Sequence, residues 1–188
     1  PEWIDGRASA GPVASQVKNN QEVSLAHPTL RQVGEIILQA LAPNPLVMAL
    51  AQPLRITPPF FNRYQVGETY GLHNDSALIH VPGAPMPVRG DLAATLFLTA
   101  PDAYDGGELV VEDTYGTQRV KLPAGDMILY PASSLHRVMP VTRGARVSSF
   151  FWIQSMVRDD AKRALLIELD RARSEVNRAL PDSPAVVQ

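Results

Sequence analysis

The chain has 188 residues, of which 45% are hydrophobic, so it can bury one core and its length favours a single domain. Its 17 Lys and Arg against 19 Asp and Glu give a net charge of -2, which excludes the strong positive field typical of proteins that bind nucleic acid or anionic membranes. There are no cysteines, so any metal must have nitrogen and oxygen ligands. No apolar run reaches the roughly 20 residues that span a bilayer, and the first residues lack the pattern of a signal peptide. We therefore expect a cytoplasmic protein without nucleic-acid or membrane partners.

Two predicted helices bracket the rest of the chain. Residues 1–25 are rich in turn formers and predict loop with one short strand. From Pro28 onward, apolar residues recur at steps of three and four, and proline suits a first helical turn, so an amphipathic helix is predicted at about 28–42. A second helix is predicted at 159–180, where apolar residues recur amid charges until Pro181 ends the pattern.

Between the helices, short apolar runs separated by turn residues predict strands at 46–56, 60–66, 92–98, 109–112, 119–122, 127–130 and 147–154. Gly106 and Gly107 are assigned a backbone role that lets a strand approach closely and bend. A proline-rich connection at 79–90 interrupts the strands, and we expect it to border a site because long ordered loops in compact domains are often binding loops. Strands gathered in one block predict an α+β, mainly β fold, in which an antiparallel sandwich or jelly roll is buttressed by helices.

A histidine and a carboxylate lie two residues apart at His73 and Asp75, a spacing that turns both side chains to one face of an extended chain. A third ligand must come from His27, His80 or His136, and His136 is the natural choice because it sits at the lip of a predicted strand. Two imidazoles and one carboxylate leave the opposite positions of a metal ion open, as in non-haem iron(II) oxygenases. These residues therefore predict a catalytic metal site.

The second part of the predicted site centres on Arg146. Residues 141–145 resemble a three-residue hairpin loop with Gly144 in the left-handed position. The register set by this loop places Arg146 and Ser148 on the face of the sheet that carries His136. A guanidinium and a hydroxyl in that position suit the far carboxylate of a five-carbon keto acid such as 2-oxoglutarate.

The same residues admit other interpretations. In the simplest one, His73 caps a turn, Asp75 accepts backbone hydrogen bonds and His136 packs in the core, since a His-x-Asp pair also occurs by chance. Two other function classes stay open: a cupin-like metalloenzyme that uses zinc or manganese without a co-substrate, and a non-enzymatic jelly-roll module that binds a small acid or sugar. Arg146 argues against the cupin-like metalloenzyme. The three metal-type ligands argue against the non-enzymatic module.

Several short motifs resemble those of the PKHD-type hydroxylases, bacterial members of the prolyl/lysyl hydroxylase branch of the iron and 2-oxoglutarate dioxygenases. They are FNRY at 61–64, YGLHND at 70–75, DGGEL at 105–109, GD at 125–126, LYP at 129–131, HRV at 136–138 and RVS at 146–148. The similarity includes residues 3–11 and 151–159 and so covers nearly the whole chain. Family members usually carry a few dozen residues before the tryptophan that matches Trp3, so we expect this chain to be trimmed at its start.

The resemblance implies a double-stranded β-helix core. We expect this core at residues 1–157, with 158–188 as a helical extension packed on or beside the same domain. The resemblance also implies iron(II) on His73, Asp75 and His136, and 2-oxoglutarate on Arg146, with Tyr64 as a further contact of the keto acid and Ser148 aiding Arg146.

The implied activity is hydroxylation of a C–H bond in an unidentified peptide or small-molecule substrate. The reaction consumes O2 and decarboxylates 2-oxoglutarate to succinate. Some family members are named iron-uptake factors, so a role in iron homeostasis is a further expectation, and L-ascorbate is a candidate additional ligand.

Three aromatic or basic side chains near these motifs have two interpretations each. Tyr70 alternates away from His73 on a regular strand, and it either lines a neighbouring wall or packs. His80 is typical of a solvated loop histidine, although a loop beside the metal can use it to hold substrate. Trp152 either walls the site or is a buried core indole, of which the second is favoured.

Overall fold

The structure, a computed structural model, describes residues 2–24, 26–113 and 116–181. In chain order the described elements are β1 (Trp3–Asp5), 3-10 turns at Gly6–Ser9 and Ala14–Val17, β2 (Lys18–Asn19), β3 (Gln21–Val23), α1 (Pro28–Leu41), α2 (Pro45–Ala51), β4 (Pro53–Ile56), β5 (Phe60–Tyr64), β6 (Thr69–His73), β7 (Leu78–Ile79), β8 (Val88–Arg89), β9 (Leu92–Phe97), β10 (Asp105–Gly106), β11 (Leu109–Asp113), β12 (Gly116–Val120), β13 (Met127–Pro131), β14 (His136–Val138), β15 (Val141–Arg143), β16 (Arg146–Ser155) and α3 (Asp160–Ala179).

Two antiparallel sheets form the sandwich. The larger has the strand order β1-β3-β5-β16-β9-β13, with β4 also paired to β16, and the smaller has the order β12-β11-β14-β6-β2. The short pairs β10-β15 and β7-β8 lie outside both sheets. The long strand β16 organises the larger sheet, because it pairs with β5 along one edge and with β9 along the other. This is the jelly-roll arrangement with flanking helices that the sequence predicts, so the predicted fold class is confirmed.

Apolar side chains fill two separate layers. One cluster joins the outer face of the larger sheet, through Phe61, Phe151 and Ile153, to α1 and α2, through Ile37 and Val47. The other cluster lies between the sheets and consists of Tyr64, Ala93, Phe97, Leu109, Val111, Tyr130, Ala132, Val138 and Val141. Helices therefore support the larger sheet from outside, and its inner face is free to shape a cavity.

The prediction of a strand at 46–56 is wrong in its first half. Residues Pro45–Ala51 form α2, and only Pro53–Ile56 form a strand. The Asn44 side chain accepts hydrogen bonds from the backbone N–H groups of Leu46 and Val47 at 3.0 and 3.2 Å, and Pro45 occupies the first helical turn. An apolar run of this length fits either structure, and the capping asparagine with its proline decides for helix.

The predicted hairpin at 141–145 is also wrong. Gly144 does have a left-handed backbone, with φ of +69°. However, β15 pairs with β10, and β14 pairs with β11 and β6, whereas β16 belongs to the larger sheet. Gly144 lies where the chain leaves the β10-β15 pair for the larger sheet. A Cβ atom at this position would lie 2.2 Å from the carbonyl oxygen of Ala103, so this close approach requires glycine.

The C-terminal helix begins and ends within one residue of its prediction. The Asp159 side chain caps α3 by accepting a hydrogen bond from the Lys162 backbone N–H at 2.9 Å. The division of the chain at residue 157 stays a prediction, and residues 182–188 of the expected extension lie outside the described residues.

No described helix is by itself long and apolar enough to cross a membrane. The neighbouring helices α1 and α2 reach the necessary length and composition only as a pair, which is bent by 88° at its break.

Candidate active site

A cavity of about 590 Å³ opens between the two sheets. Its lining includes residues from both sheets, among them His73 and His136 from the smaller and Arg146 from the larger. Residues of the 4–14 segment also line it, and so do Leu78, Ile79, His80 and Pro82. The expectation that the 79–90 connection borders a site is confirmed for its first residues.

The three predicted metal ligands meet in this cavity. One ligand atom from each of His73, Asp75 and His136 lies within 4.8 Å of the others. His73 ends β6 and is the direct partner of His136, which begins the neighbouring strand β14. Asp75 follows β6, where its backbone N–H donates to the carbonyl oxygen of Ala132 at 3.3 Å. These side chains can hold a metal ion, with the ligand types typical of an open 2-His-1-carboxylate site.

Backbone carbonyls orient both imidazoles. Nδ1 of His73 lies 2.7 Å from the Gly71 oxygen, and Nδ1 of His136 lies 3.0 Å from the Ser134 oxygen. A carbonyl oxygen only accepts hydrogen bonds, so each Nδ1 carries the proton and each Nε2 keeps its lone pair. The Nε2 atom of His136 lies 3.8 Å from the Asp75 carboxylate. Carbonyl partners on the outer nitrogens are the usual support for metal-binding histidines.

The electrostatics of the three residues suit a cation. Burial lowers the pKa of His73 to about 4, so its imidazole is neutral and able to bind a metal at physiological pH. Burial raises the pKa of the Asp75 carboxyl, while His136 and the Trp152 indole act in the opposite direction. A divalent cation beside Asp75 would supply the opposite charge that the buried carboxylate requires.

The Tyr70 ring lies on the site, contrary to the alternation expected for a regular strand. It stacks on the His73 imidazole with ring centroids 3.6 Å apart and planes inclined by 18°. The register shifts in this pair of strands, because His136 faces His73 whereas Val138 faces Tyr70. Three residue positions along β6 therefore lie opposite two positions along β14. The extra residue forms a β-bulge, which brings the side chains of Tyr70 and His73 to the same face of the strand.

Arg146 is the largest fully buried side chain in the described part of the chain, with 1% of its surface exposed. Its Nη1 donates to Ser148 Oγ at 2.7 Å, and Ser148 Oγ donates in turn to Asn62 Oδ1 at 2.5 Å. Among the described residues no carboxylate forms an ion pair with this guanidinium, and its Nε has no hydrogen-bond partner. A buried, unpaired positive charge is costly, so this arrangement points to an anionic ligand.

The prediction that Arg146 and Ser148 share one sheet with His136 is wrong, because they lie in the larger sheet and His136 lies in the smaller one, although all three line the same cavity. Alternation along β16 by itself turns Arg146, Ser148, Phe150 and Trp152 toward the cavity. Trp152 thus walls the cavity, the interpretation that the sequence favoured less.

Tyr64 and Tyr104 flank the guanidinium. Tyr64 is the register partner of Arg146, and its ring centroid lies 5.3 Å from the guanidinium carbon. Burial raises the pKa of Tyr64, so its hydroxyl stays protonated and can donate. The Tyr104 hydroxyl is buried without a hydrogen-bond partner among the described residues, and burial raises its pKa while the charge of Arg146 acts in the opposite direction.

Sequence reasoning missed Tyr104, because it lies 42 positions before Arg146 in a loop with no motif of its own. The neighbouring Gly107 was the available signal. A Cβ atom there would lie 3.0 Å from the Tyr104 ring and 3.2 Å from Cδ of Arg146, and Gly107 has a φ of +65°. The second glycine therefore leaves space for the tyrosine and the arginine to sit side by side.

Sequence comparison identifies the family of the site. A sequence model described as the 2OG-Fe(II) oxygenase superfamily matches residues 59–154, which contain the triad and Arg146. The chain belongs to the 2OG-Fe(II) oxygenase superfamily. It is accordingly an enzyme of the hydroxylase type, and the family implies iron(II) and 2-oxoglutarate as its metal and co-substrate.

Relatives within this superfamily match the chain over most of its length. A PKHD-type hydroxylase of Bordetella pertussis is 54% identical over 187 residues, which cover 100% of this chain and 83% of the relative. One from Methylobacterium nodulans is 57% identical, covering 99% of this chain and 82% of the relative. One from Burkholderia lata is 60% identical, covering 90% and 74%. The resemblance to PKHD-type hydroxylases is confirmed.

Solved structures of other 2OG-Fe(II) oxygenases share the fold. A Pseudomonas putida prolyl-4-hydroxylase has a TM-score of 0.54 and 19% identity, covering 83% of this chain and 79% of that one. A Trichoplax adhaerens prolyl hydroxylase, solved with a peptide fragment of the hypoxia inducible factor oxygen degradation domain, has a TM-score of 0.54 and 14% identity, covering 87% and 73%. Streptomyces hygroscopicus HygX, solved with nickel, 2-oxoglutarate and hygromycin B, has a TM-score of 0.51 and 15% identity, covering 82% and 74%.

Proposed function

We propose that this protein hydroxylates a C–H bond of a peptide or small-molecule substrate, with iron(II) on His73, Asp75 and His136 and 2-oxoglutarate on Arg146. The observation that carries the proposal is the buried Arg146 guanidinium, which has no carboxylate partner among the described residues and shares one cavity with the triad. A dianionic keto acid is the ligand that can satisfy both ends of this cavity at once.

The protein's contribution at the metal is to fix the geometry of the ligands. The Gly71 and Ser134 carbonyls orient the two imidazoles through Nδ1, which would leave each Nε2 available to bind a metal ion. The stacked Tyr70 ring limits rotation of His73 on its open side. Three protein ligands leave coordination positions for the keto acid and for O2. Iron(II) supplies the oxidising chemistry, with decarboxylation of 2-oxoglutarate to succinate.

At the other end, Arg146 is the side chain that we assign to the distal carboxylate of the keto acid. Arg146 supplies the charge and its unpartnered Nε, and Ser148 and Asn62 fix the plane of the guanidinium. The unpartnered Tyr104 hydroxyl lies beside it. Tyr64, which stays protonated, forms the adjoining wall and can donate to the keto acid.

The names of the structural neighbours suggest two classes of substrate. Two structural neighbours are named prolyl hydroxylases, one of them in complex with a peptide fragment, and a third has hygromycin B bound. We therefore propose a peptide or small-molecule substrate. L-ascorbate as a further ligand and a role in iron homeostasis remain predictions from the family resemblance, and a cytoplasmic location remains a prediction from the sequence.

Calorimetric titration of 2-oxoglutarate into the zinc-loaded protein tests the proposal. We expect Arg146→Gln to weaken 2-oxoglutarate binding about 30-fold or more, because it removes a charge-assisted hydrogen bond worth about 2–3 kcal/mol. Zinc affinity should remain within about twofold, since Arg146 is not a metal ligand. Arg143→Gln, which removes an exposed arginine paired with Asp105, is the matched control and should bind the keto acid normally. Equal 2-oxoglutarate affinity in the two variants would remove Arg146 from the site.

A further inference from the structure

A buried ion pair lies in the wall of the cavity and has no part in the proposed metal and keto-acid sites. Lys18 and Glu22 are 6% and 5% exposed, and Lys18 Nζ lies 2.5 Å from Glu22 Oε1. Both residues line the cavity. Charged side chains are rarely buried to this extent, and a pair that serves only to fasten a loop is commonly replaceable by apolar residues.

The pair keeps one donor and one acceptor unused. The Lys18 ammonium has three N–H groups, and it donates to Glu22 Oε1 and, at 2.8 Å, to Ser9 Oγ. Within the described ranges the third N–H has no acceptor, and Glu22 Oε2 accepts no hydrogen bond. The cavity wall therefore presents an N–H and a carboxylate oxygen side by side.

The pair is close to the metal ligands without touching them. Lys18 Nζ lies 5.2 Å from the centroid of the Tyr70 ring, and that ring stacks on His73. On its other side, Nζ lies 6.0 Å from the centroid of the Phe150 ring. A molecule that reaches the metal along this wall passes Lys18 and Glu22.

Next to the pair, the wall is aromatic. Phe60 stacks on Phe150 with ring centroids 5.3 Å apart, and Trp152 meets both rings edge-on at 5.6 Å. All three side chains line the cavity. This surface favours an apolar group, and its neighbour Lys18 disfavours a cation on the ring faces.

The charges on the wall cancel. Lys18 and Glu22 neutralise each other, so an added anion would be repelled by Glu22 and an added cation by Lys18 at the same place. A neutral group with one acceptor and one donor fits both unused positions. A secondary or primary amide has this pattern, with its carbonyl oxygen toward Lys18 and its N–H toward Glu22.

We propose that Lys18 and Glu22 are specificity-determining residues that select a substrate carrying a neutral amide next to an apolar group. This inference rests on the proposed function, because it assigns the substrate class for the same cavity. A peptide segment and a small amide-containing molecule both present such an amide, and the chemistry recognised by the pair is the same in both.

Three leucine derivatives of different charge test the pair by ligand-observed NMR on the zinc- and 2-oxoglutarate-loaded protein, which does not turn over. They are N-acetyl-L-leucinamide, which is neutral, N-acetyl-L-leucine, which is anionic, and L-leucinamide, which is cationic. We expect the neutral amide to bind at least fivefold more tightly than either charged probe. Equal or weaker binding of the neutral amide would overturn the proposal.

Two charge-removing variants then shift the preference in opposite directions. Glu22→Gln leaves the Lys18 charge uncompensated, so the anionic probe should gain at least fivefold relative to the amide. Lys18→Met leaves the Glu22 charge uncompensated, so the cationic probe should gain similarly. Arg143→Met removes a charge from an exposed pair outside the cavity and should preserve the wild-type ranking. A ranking that is unchanged in both cavity variants would assign the pair a purely structural role.

A double variant keeps the test decisive if a single change prevents folding. Lys18→Met/Glu22→Gln leaves no buried charge at the pair, and it should bind N-acetyl-L-leucinamide at least fivefold more weakly than the wild type. Undiminished binding in the folded double variant would contradict the proposal.

Repeating the series without zinc and 2-oxoglutarate separates this inference from the proposed function. Lys18 and Glu22 make no hydrogen bond to the triad or to Arg146 in the described part of the chain, so the charge dependence should persist.

A capped tripeptide with leucine at its centre distinguishes the two sources of the amide. Binding tighter than that of the single amide assigns the pair to a peptide substrate, and weaker binding assigns it to a small molecule.

Discussion

At the scale of single residues, the chemistry of the site was more predictable than its surroundings. The clustering of His73, Asp75 and His136 was predictable because their types and spacing suit one metal ion, and Arg146 lies in the same cavity. Tyr104 carries no such pattern, and only the folded chain brings it to Arg146. Burial without a partner is a property of three-dimensional packing, so the unpartnered donors that favour an anion were not readable from the sequence.

The burial of Lys18 and Glu22 was also not predictable from the residues themselves. They lie four positions apart in a stretch rich in turn formers, where exposed charges are the ordinary expectation. Their burial depends on the packing of the 4–24 segment over the cavity, which no local pattern encodes.

The His73 imidazole makes the stability of the metal-free protein depend on pH. Its pKa is about 4 in the folded protein, below the ordinary 6.5 of the unfolded chain. Between these values the unfolded state binds more protons, so the free energy of unfolding should rise as the pH is raised from 4 to 6.5 and then level off. Because part of the ring meets solvent, we expect a contribution of about 1–2 kcal/mol.

Urea unfolding in the presence of a chelator, compared between the wild type and His73→Gln, measures this contribution. The variant should lose the corresponding part of the slope between pH 4 and 6.5. His80→Gln, which changes an exposed histidine, should keep the wild-type slope. The same slope in all three proteins would contradict the burial effect assigned to His73.

At the scale of elements, the strands with regular alternation were predictable and the irregular ones were not. The strand β16 is close to its predicted range, and its alternation turns Arg146 and Ser148 toward the cavity. The bulge in β6 was not predictable, because it arises from pairing with β14 rather than from the β6 sequence, and it reverses the expected direction of Tyr70. The hairpin prediction failed for a related reason: a local turn signal at Gly144 cannot reveal that the chain changes sheets there.

We expect Gly107, between β10 and β11, to support the part of the cavity where we propose that the keto acid binds. Gly107→Ala would introduce a Cβ atom 3.0 Å from both the Tyr104 ring and Val141, and 3.2 Å from Arg146, at a φ of +65°. We expect the free energy of unfolding to fall by about 1–3 kcal/mol and 2-oxoglutarate binding to weaken at least fivefold.

Gly125→Ala provides the matched control for this substitution. Gly125 also has a positive φ, of +97°, but a Cβ atom there meets nothing within 4 Å. Chemical unfolding should therefore show a loss of stability from backbone strain alone, with unchanged calorimetric affinity for 2-oxoglutarate. If the two variants bind the keto acid equally well, Gly107 has no role in placing Arg146.

At the scale of the whole molecule, the fold class followed from the arrangement of the predicted elements. A block of short strands between helices leaves few compact solutions other than a helix-buttressed sandwich. Strand order was not predictable, because pairs such as β16 with β5 join residues more than 80 positions apart. That long-range pairing is what places Arg146 across the cavity from the triad, and it makes the site a product of both sheets.

The central claim is that one cavity binds iron(II) through the triad and 2-oxoglutarate through both the metal and Arg146. Anaerobic titration of the iron(II)-loaded protein with 2-oxoglutarate tests it most directly, by the visible charge-transfer absorption of a keto acid chelated to iron. We predict a saturable band that is lost in His136→Ala, weakened in Arg146→Gln and retained in His27→Ala, whose histidine caps α1 outside the cavity. The absence of a band in well-folded, iron-loaded wild-type protein would contradict the claim and favour a cupin-like metalloenzyme that works without the keto acid.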